Sequence, residues 1–368
     1  MMKYIKSLPC FLVHFFIGVL LTKFFVTSLL VLGWMSRAMR LQAFKIWYKR
    51  STYAVDKDPK AFLGKHDGLE INKFRPRWFS TRKQDNMRMR DRLFGSFLLN
   101  LQYGLQSAFN IFVVTLPVCA IWLCMWWAGW EVSFNKSYEE SAVSVTSSLA
   151  SVAVFTLIMV YLPLAQARQG INGNWKLFYD FKILRILAKH VRFRAIILAL
   201  FYLIGGIGIM GGTKAIPLFF EGTSNINFDV DPDGFRQAVE KHYMIVSIFF
   251  FAGFVLLKKL TARLYAHAVL NAFEAGDLKK NQLTEFEQKI LCDTLGYKAK
   301  RKQTKGIVTK TLLWSFRNMR ILFVRLLLLA TWGAFAFVVF LGQFLNHDWW
   351  FWLNHPLIHL PFVQTPQF

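Results

Sequence analysis

Long apolar runs alternate along the chain with segments rich in Lys and Arg, and this alternation is the strongest constraint on the fold. An α-helix needs about 20 apolar residues to cross the hydrocarbon of a bilayer. Five runs of low charge predict such helices: Phe109–Trp130, Val143–Ala167, Ala195–Phe220, Tyr243–Leu257 and Ile321–Leu345. The fourth of these is short, and we expect its helix to begin near Phe235. The pattern predicts an all-α, polytopic membrane protein.

A further membrane segment is predicted at residues 1–35. Two apolar runs, Cys10–Leu21 and Phe24–Met35, are separated there by Lys23, and each is too short to span alone. They form either one helix with a lysine near its middle or a re-entrant pair, and we favour one helix. The total is then about six spans. A lysine at membrane depth is a functional candidate unless it reaches the interface.

The charge distribution predicts the orientation. Residues 36–95, 168–194 and 258–320 hold 37 of the 45 Lys and Arg residues. Because Lys and Arg beside spans are retained in the cytoplasm, these basic segments are expected there and both chain ends outside. If the N-terminal segment is re-entrant, the amino end lies inside instead. All 21 Asp and Glu residues fall in predicted loops. This distribution argues against a proton- or sodium-coupled carrier, which usually has an ion site within the membrane.

These boundaries divide the chain into five regions, all given by their sequence positions. They are the N-terminal membrane segment (1–35), a basic cytoplasmic segment (36–92), a four-span region (93–257), a basic helical cytoplasmic module (258–320) and a last span with an external aromatic C-terminal segment (321–368). Within the module, the fifth span should continue as a helix to about Gly276. A capping box from Thr284 to Glu287 should begin a shorter helix that ends near Gly296.

The stretch NWKLFYDFKILRILAKHVRFR predicts an amphipathic interfacial helix over residues 175–194. Such a helix lies in the headgroup plane with its apolar face toward lipid. The apolar face is Leu177, Phe181, Leu184, Ala188 and Val191, and the basic face is Lys182, Arg185, Lys189 and Arg192. We expect the basic face to bind anionic lipid.

A second basic stretch, KAKRKQTKG, precedes the last span. Its cationic residues are Lys298, Lys300, Arg301, Lys302 and Lys305. Each Lys or Arg near an anionic leaflet gains about 1 kcal/mol, so this stretch is also predicted to bind anionic lipid. The arm FRPRWFSTRKQ interleaves Arg with aromatic residues, as some nucleic-acid-binding segments do. We favour lipid binding for it and do not expect a nucleic-acid partner, because no RNA-binding motif accompanies it.

The stretch FDVDPDGFRQAVE matches a twelve-residue calcium loop. The ligand positions are Asp229, Asp231, Asp233 and Glu240, with Gly234 at the turn. The alternative is an acidic turn whose carboxylates cap the helix beginning near Phe235. We favour the turn, since GTSNIN is a poor incoming helix and no second loop is present. Calcium is the one cofactor that the sequence suggests.

Three weaker signals remain. The stretch GGIGIMGG, residues 205–212, permits close helix packing or a broken helix, and Pro117 permits a kink. We favour packing. His355 and His359 are spaced for one helical face, but Pro356 and Pro361 argue against a regular helix and a metal site there. The sequence lacks the common catalytic motifs, so nothing in it argues positively for an enzyme.

Four stretches resemble an uncharacterised family of bacterial multipass membrane proteins that share a domain of unknown function. They are GWEVSFNKSYEESAV, YLPLAQARQGINGNWKLFYDFKILR, KKLTARLYAHAVLNAF and WLNHPL, spread over most of residues 90–360. The second is the most distinctive, because it joins the end of a span, a Gly/Asn turn and the basic helix. The resemblance implies an integral inner-membrane protein with about six spans. It implies no activity, substrate or catalytic residue.

Two functions are compatible with these features. The first, which we favour, is a non-enzymatic membrane scaffold or assembly factor that binds anionic lipid and a partner protein. The second is a transporter or channel for a small solute or lipid, with a path lined by the glycine-rich span, Pro117, Asn110 and Lys23. An enzyme that acts on lipid, using His355 and His359, is a weaker third hypothesis.

Overall fold

The computed structural model of the protein describes residues 8–55, 76–80, 89–133, 158–214, 232–298 and, with short gaps, 314–330, together with positions 59, 62 and 311. Every regular element in these residues is helical, which confirms the predicted all-α class for this part of the chain. The helices are α1 (Leu8–Leu21), α2 (Phe25–Arg50), α3 (Met89–Ser133), α4 (158–172), α5 (Phe181–Lys214), α6 (Pro232–Glu274) and the short α7 (Glu285–Glu287), and a further helical segment begins at residue 314.

Two stretches of the described residues are long and apolar enough to cross a bilayer: Leu93–Pro117 in α3 and Glu240–Glu274 in α6. A shorter apolar stretch is Leu12–Leu21 in α1. Residues 134–157 and 331–368, which hold parts of two other predicted spans, lie outside the described residues. The two long stretches are compatible with a membrane protein, and the six-span arrangement stays a prediction.

The N-terminal apolar region is divided between two helices. Phe24, the residue before α2, has an extended backbone with φ −118° and ψ 140°. The hydroxyl of Thr22 donates to a carbonyl three residues earlier (2.6 Å), and that of Thr27 donates to the Leu21 carbonyl across the break (2.6 Å). Such local bonds compete with the regular helix. The prediction of one uninterrupted helix is therefore wrong, and Lys23 lies half-buried in the break.

Helix α2 lies against α3 at very short range because glycines occupy the contact. A Cβ atom added to Gly33 would lie 1.8 Å from the carbonyl oxygen of Asn100. One added to Gly104 would lie 1.9 Å from that of Leu29. Since no side chain fits at either position, the two backbones pack directly against each other.

Helix α6 packs against both α2 and α5. The indole Nε1 of Trp47 in α2 donates to the carbonyl of Ala266 (3.0 Å). On the α5 side, the hydroxyls of Tyr202 and Thr261 share a hydrogen bond of 2.9 Å. His190, earlier in α5, lies beside Asp277, which follows α6. Since Tyr202, later in α5, meets Thr261, earlier in the chain, the helices α5 and α6 run antiparallel.

The buried core lies mainly in segments that the sequence assigns to the cytoplasm or to the ends of spans. Its largest fully buried side chains include Trp47, Tyr48, Arg168, Phe178 and Tyr265. In contrast, α3 and the first half of α6 expose large apolar side chains, among them Leu105, Phe109, Ile245 and Phe249. Exposed apolar surface of this kind is typical of helices that face lipid or another helix. The basic segments thus contribute a packed core rather than only loops.

Part of the predicted basic arm also packs on the protein. The ring of Trp78 is buried and stacks on that of Trp34, with centroids 4.5 Å apart. The side-chain amide of Asn100 donates to the carbonyls of Arg77 (2.8 Å) and Trp78 (3.0 Å). Residues 76–80 therefore form a short strap across α2 and α3, and Trp78 is held in protein instead of lipid.

The helical module after α6 confirms the predicted helix ends. Gly276 and Gly296 have positive φ angles of 72° and 65°. The hydroxyl of Thr284 accepts a bond from the Glu287 N–H, and the Glu287 carboxylate accepts one from the Thr284 N–H, which together form the capping box. After α7 the chain forms one π-helical stretch, Gln288–Thr294.

Candidate functional site

The first candidate site is the basic face of α5, which we define as Lys182, Arg185, Lys189 and Arg192. All four side chains are exposed. Within the described part of the chain, only Lys189 has an acidic partner, with its Nζ 3.8 Å from Oδ2 of Asp277. The face thus keeps most of its positive charge available for an anionic surface.

The opposite face of α5 is covered by protein. Leu184, Ala188 and Val191 are all at most 5% exposed, whereas Phe181 is exposed. The sequence interpretation assigned these apolar residues to lipid, and for the three buried ones the structure differs. They pack into the helical core because α6 and the neighbouring elements lie against them. Residues 175–179 form a 3-10 turn before the helix, so the predicted helix begins later than expected.

Asp180 and Val191 define the two ends of the basic half of α5. Oδ1 of Asp180 accepts a bond from the Ile183 N–H (3.3 Å), as an N-cap carboxylate does. Its Oδ2 accepts a bond from Nη2 of Arg168 (3.1 Å). Val191 has φ −129° and ψ 21°, which kinks α5 and separates residues 181–190 from the apolar half. The basic face is therefore held at a fixed position by α4 and by the core.

The second predicted lipid-binding stretch lies mostly outside the described residues. Lys298 is exposed. Lys300, Arg301, Lys302 and Lys305 fall outside, so lipid binding by this stretch stays a prediction.

The predicted calcium loop is described only in its second half. Asp233 and Glu240 both lie in α6 and are exposed, while Asp229 and Asp231 lie outside the described residues. Seven residues of helix separate Asp233 from Glu240 by about 10 Å along the axis, an arrangement that does not surround an ion. The capped turn stays the favoured prediction, and calcium binding stays the less favoured alternative.

The weaker candidates have different outcomes. His355 and His359 lie outside the described residues. Helix α3 continues through Pro117, and α5 continues through residues 205–212. The backbone at the glycine-rich stretch is thus helical rather than broken.

A buried ionic cluster lies around Arg168 at the end of α4, and the sequence did not predict it. The side chain of Arg168 is only 2% exposed. Its Nη2 lies 3.1 Å from Oδ2 of Asp180, and its Nη1 lies 3.9 Å from Oε2 of Glu287. Nη1 also donates to the hydroxyl of Tyr265 (3.3 Å), which in turn donates to Glu287. The cluster joins α4, α6, α7 and the start of α5.

The cluster holds Arg168 in its charged form. Burial by itself lowers the pKa of the guanidinium, but Tyr265, Glu287 and Asp180 outweigh that effect and hold the pKa above its ordinary value. Asn172 extends the network, since its Nδ2 donates to Oε1 of Glu287 (3.3 Å). We infer that the cluster fixes the module to the helical core. Arg168 and Glu287 lie on different elements, and a buried charge is strongly destabilising when its partner is removed.

Asn110, predicted to line a path, forms hydrogen bonds through both the nitrogen and the oxygen of its side-chain amide. Its Nδ2 donates to Oε1 of Gln169 (3.2 Å) and to the Trp175 carbonyl (3.1 Å), and its Oδ1 accepts from the Tyr179 hydroxyl (2.9 Å). It is fully buried. These bonds connect α3 to the 3-10 turn before the basic helix, which is a positioning role.

A second buried basic residue, Lys258, lies in the apolar stretch of α6. It is 3% exposed, and its Nζ donates to Oε1 of Gln166 in α4. The rings of Phe254 and Tyr202 lie 5.0 Å and 5.6 Å from the same nitrogen. Lys258 follows an apolar run and precedes Lys259, a position that predicts a cytoplasmic lysine at the end of a span.

Sequence reasoning brought the four residues of the basic face together correctly but missed the buried clusters. One signal was present, since QARQ places three polar residues at the end of an apolar run. Their partners lie on other helices, and no local spacing identifies those. Comparison with protein-family models, with curated proteins and with solved structures finds no significant match to this chain. Membership of the family that the sequence resembles thus stays a prediction.

Proposed function

We propose that the protein is a non-enzymatic scaffold or assembly factor of the bacterial inner membrane. It has about six spans and cytoplasmic basic segments, binds anionic lipid headgroups through the basic face of α5, and docks a partner protein. The carrying observation is that this face is exposed while Leu184, Ala188 and Val191 on the opposite side of the helix are buried. A rigidly held cationic face loses little conformational freedom when it meets an anionic surface.

The kink at Val191 supports the proposed orientation. It lets residues 181–190 follow the cytoplasmic interface while the apolar half of α5 enters the membrane. Lys182, Arg185 and Lys189 then lie near the phosphates, where each gains about 1 kcal/mol, and Arg192 lies immediately after the kink.

The test is a pair of charge-reversal variants in nanodiscs of mixed phosphatidylglycerol and phosphatidylcholine. Arg185→Glu/Arg192→Glu removes two exposed cations of the basic face. Lys49→Glu/Lys279→Glu makes the same change in charge at exposed positions elsewhere. We expect the first variant, and not the second, to lose the enrichment of phosphatidylglycerol around the protein. Equal enrichment in both variants would contradict the proposal.

Partner binding needs a separate experiment. Native purification in mild detergent, followed by mass spectrometry of all bound proteins and lipids, should find a stoichiometric partner protein. A single enriched lipid or solute without a protein partner would favour the second candidate.

That second candidate is a transporter or channel for a small solute or lipid. The observation in its favour is the polar pair Lys258 and Gln166, which is buried between apolar helices. Intramembrane ionisable residues commonly mark the path of a substrate or ion. Uptake by proteoliposomes that depends on Lys258 would move the assignment to this class.

A further inference from the structure

Lys258 is a buried basic residue without a carboxylate partner. Within the described residues, its one polar contact is the amide oxygen of Gln166, and no Asp or Glu lies within ion-pair distance. Phe254 and Tyr202 face the ammonium with their rings, which offsets only part of the lost hydration. An ammonium in such a place is strongly unfavourable unless an anion accompanies it, and without an anion burial favours the neutral amine.

The described helices around Lys258 do not supply that anion. α4 and α5 contain no Asp or Glu, and α6 contains none between Glu240 and Glu274. The nearby buried carboxylate, Glu287, bonds to Tyr265, which lies seven residues or about 10 Å further along α6. Glu287 is also part of the Arg168 cluster, which already holds a cation.

The side chain of Gln166 adds a second donor at the same place. It is 4% exposed, and its Nε2 has no hydrogen-bond partner within the described part of the chain. A buried amide N–H without a hydrogen-bond acceptor is unusual in folded proteins, so this N–H is able to donate to a bound ligand. Because Oε1 of the same amide accepts from Lys258, one acceptor atom placed beside Nε2 could accept from both donors.

We propose that Lys258 and Gln166 form a binding site for one small monovalent anion of the chloride or carboxylate type. One acceptor atom would satisfy both the ammonium and the free amide N–H. A single charge fits because Lys258 is the one unpaired cation at this position among the described residues. This site is separate from the basic face of α5, and it goes beyond the proposed scaffold function.

The experiment measures the Tm of the protein in detergent from the change in tryptophan fluorescence on heating. Chloride or formate is titrated against gluconate at constant ionic strength, so that the bulky gluconate ion controls for screening. A ligand at about a hundred times its Kd raises Tm by about 3 to 4 °C in a chain of this length. We expect a saturable rise of this size in chloride or formate, and which ion acts identifies the preferred anion. No saturable rise with either ion would overturn the proposal.

Two variants and a matched control locate the effect. Lys258→Met should lose the anion-dependent rise, while Lys259→Met, at the adjacent exposed lysine, should keep it. Gln166→Glu places a carboxylate beside Lys258 and should raise Tm in gluconate while removing the response to chloride. If Lys258→Met does not fold, Gln166→Glu still decides the matter. A full chloride response in either variant would contradict the assignment.

Discussion

Arg168 Nη1 lies 3.9 Å from Glu287 Oε2, and the two side chains are 2% and 0% exposed. The pair connects α4 to the short module that follows α6. Because Glu287 also completes the capping box of α7, one carboxylate determines both where the helix starts and where the module docks.

We expect Glu287→Gln to lower the free energy of unfolding by about 3 kcal/mol, because it leaves a buried guanidinium with one carboxylate fewer. Unfolding in mixed micelles measures this difference, and hydrogen exchange over residues 277–297 reports release of the module. Glu285→Gln is the control, since Glu285 is exposed in the same helix. Equal behaviour of the two variants would show that the buried pair does not fix the module.

Because α2 and α3 pack so closely, we expect a single methyl group added at their contact to lower the stability of the protein strongly. Gly33→Ala and Gly104→Ala each place a Cβ within 2 Å of a carbonyl oxygen. We expect each to cost about 3 kcal/mol, because two packed backbones must separate. Gly253→Ala is the control, as nothing lies within 4 Å of its added Cβ. It should be neutral or stabilising by about 0.5 kcal/mol, and a similar loss at all three positions would count against close packing.

The strap at residues 76–80 predicts protection of Arg77 from trypsin. Trp78→Ala removes the buried ring that stacks on Trp34 and should cost about 3 kcal/mol. Cleavage after Arg77, followed by mass spectrometry under native conditions, should become faster by at least tenfold. Phe79→Ala is the comparison, because the Phe79 ring is 42% exposed and anchors the strap less. Unchanged cleavage in the Trp78 variant would show that the strap is held by its backbone bonds alone.

We expect ionisation of the Tyr297 phenol to cause part of the loss of stability at alkaline pH. Its hydroxyl donates to the Trp47 carbonyl (2.8 Å), and burial raises the pKa of its phenol to about 12. The pKa in the unfolded chain is about 10. Because the folded pKa is the higher one, the neutral phenol's contribution is complete below about pH 10 and is lost as pH rises toward about 12.

The check compares wild type with Tyr297→Phe at pH 8 and pH 11. The variant should be less stable at pH 8, because it lacks the hydrogen bond. Its further loss at pH 11 should be smaller than that of wild type, because it has one phenol fewer to ionise. If both proteins lose the same stability between these pH values, Tyr297 does not contribute to the alkaline transition.

Local features of the sequence determined much of this protein. Apolar runs predicted helices, and the spacing of Lys182, Arg185, Lys189 and Arg192 predicted a basic face, because both depend on the repeat of one helix. Thr284 with Glu287, and the glycines 276 and 296, marked helix ends correctly, since capping involves residues only a few positions apart.

Only the tertiary structure decided what covers each face. Leu184, Ala188 and Val191 form an apolar stripe that suits lipid and protein equally, and contact with the core determines which it is. The kink at Val191 has no proline or glycine beside it, so no residue type announces it. Arg168 meets Glu287, and Lys258 meets Gln166, across helices that are distant in the chain. A helical repeat specifies which residues share a face, but the partner of a buried charge depends on how the helices pack.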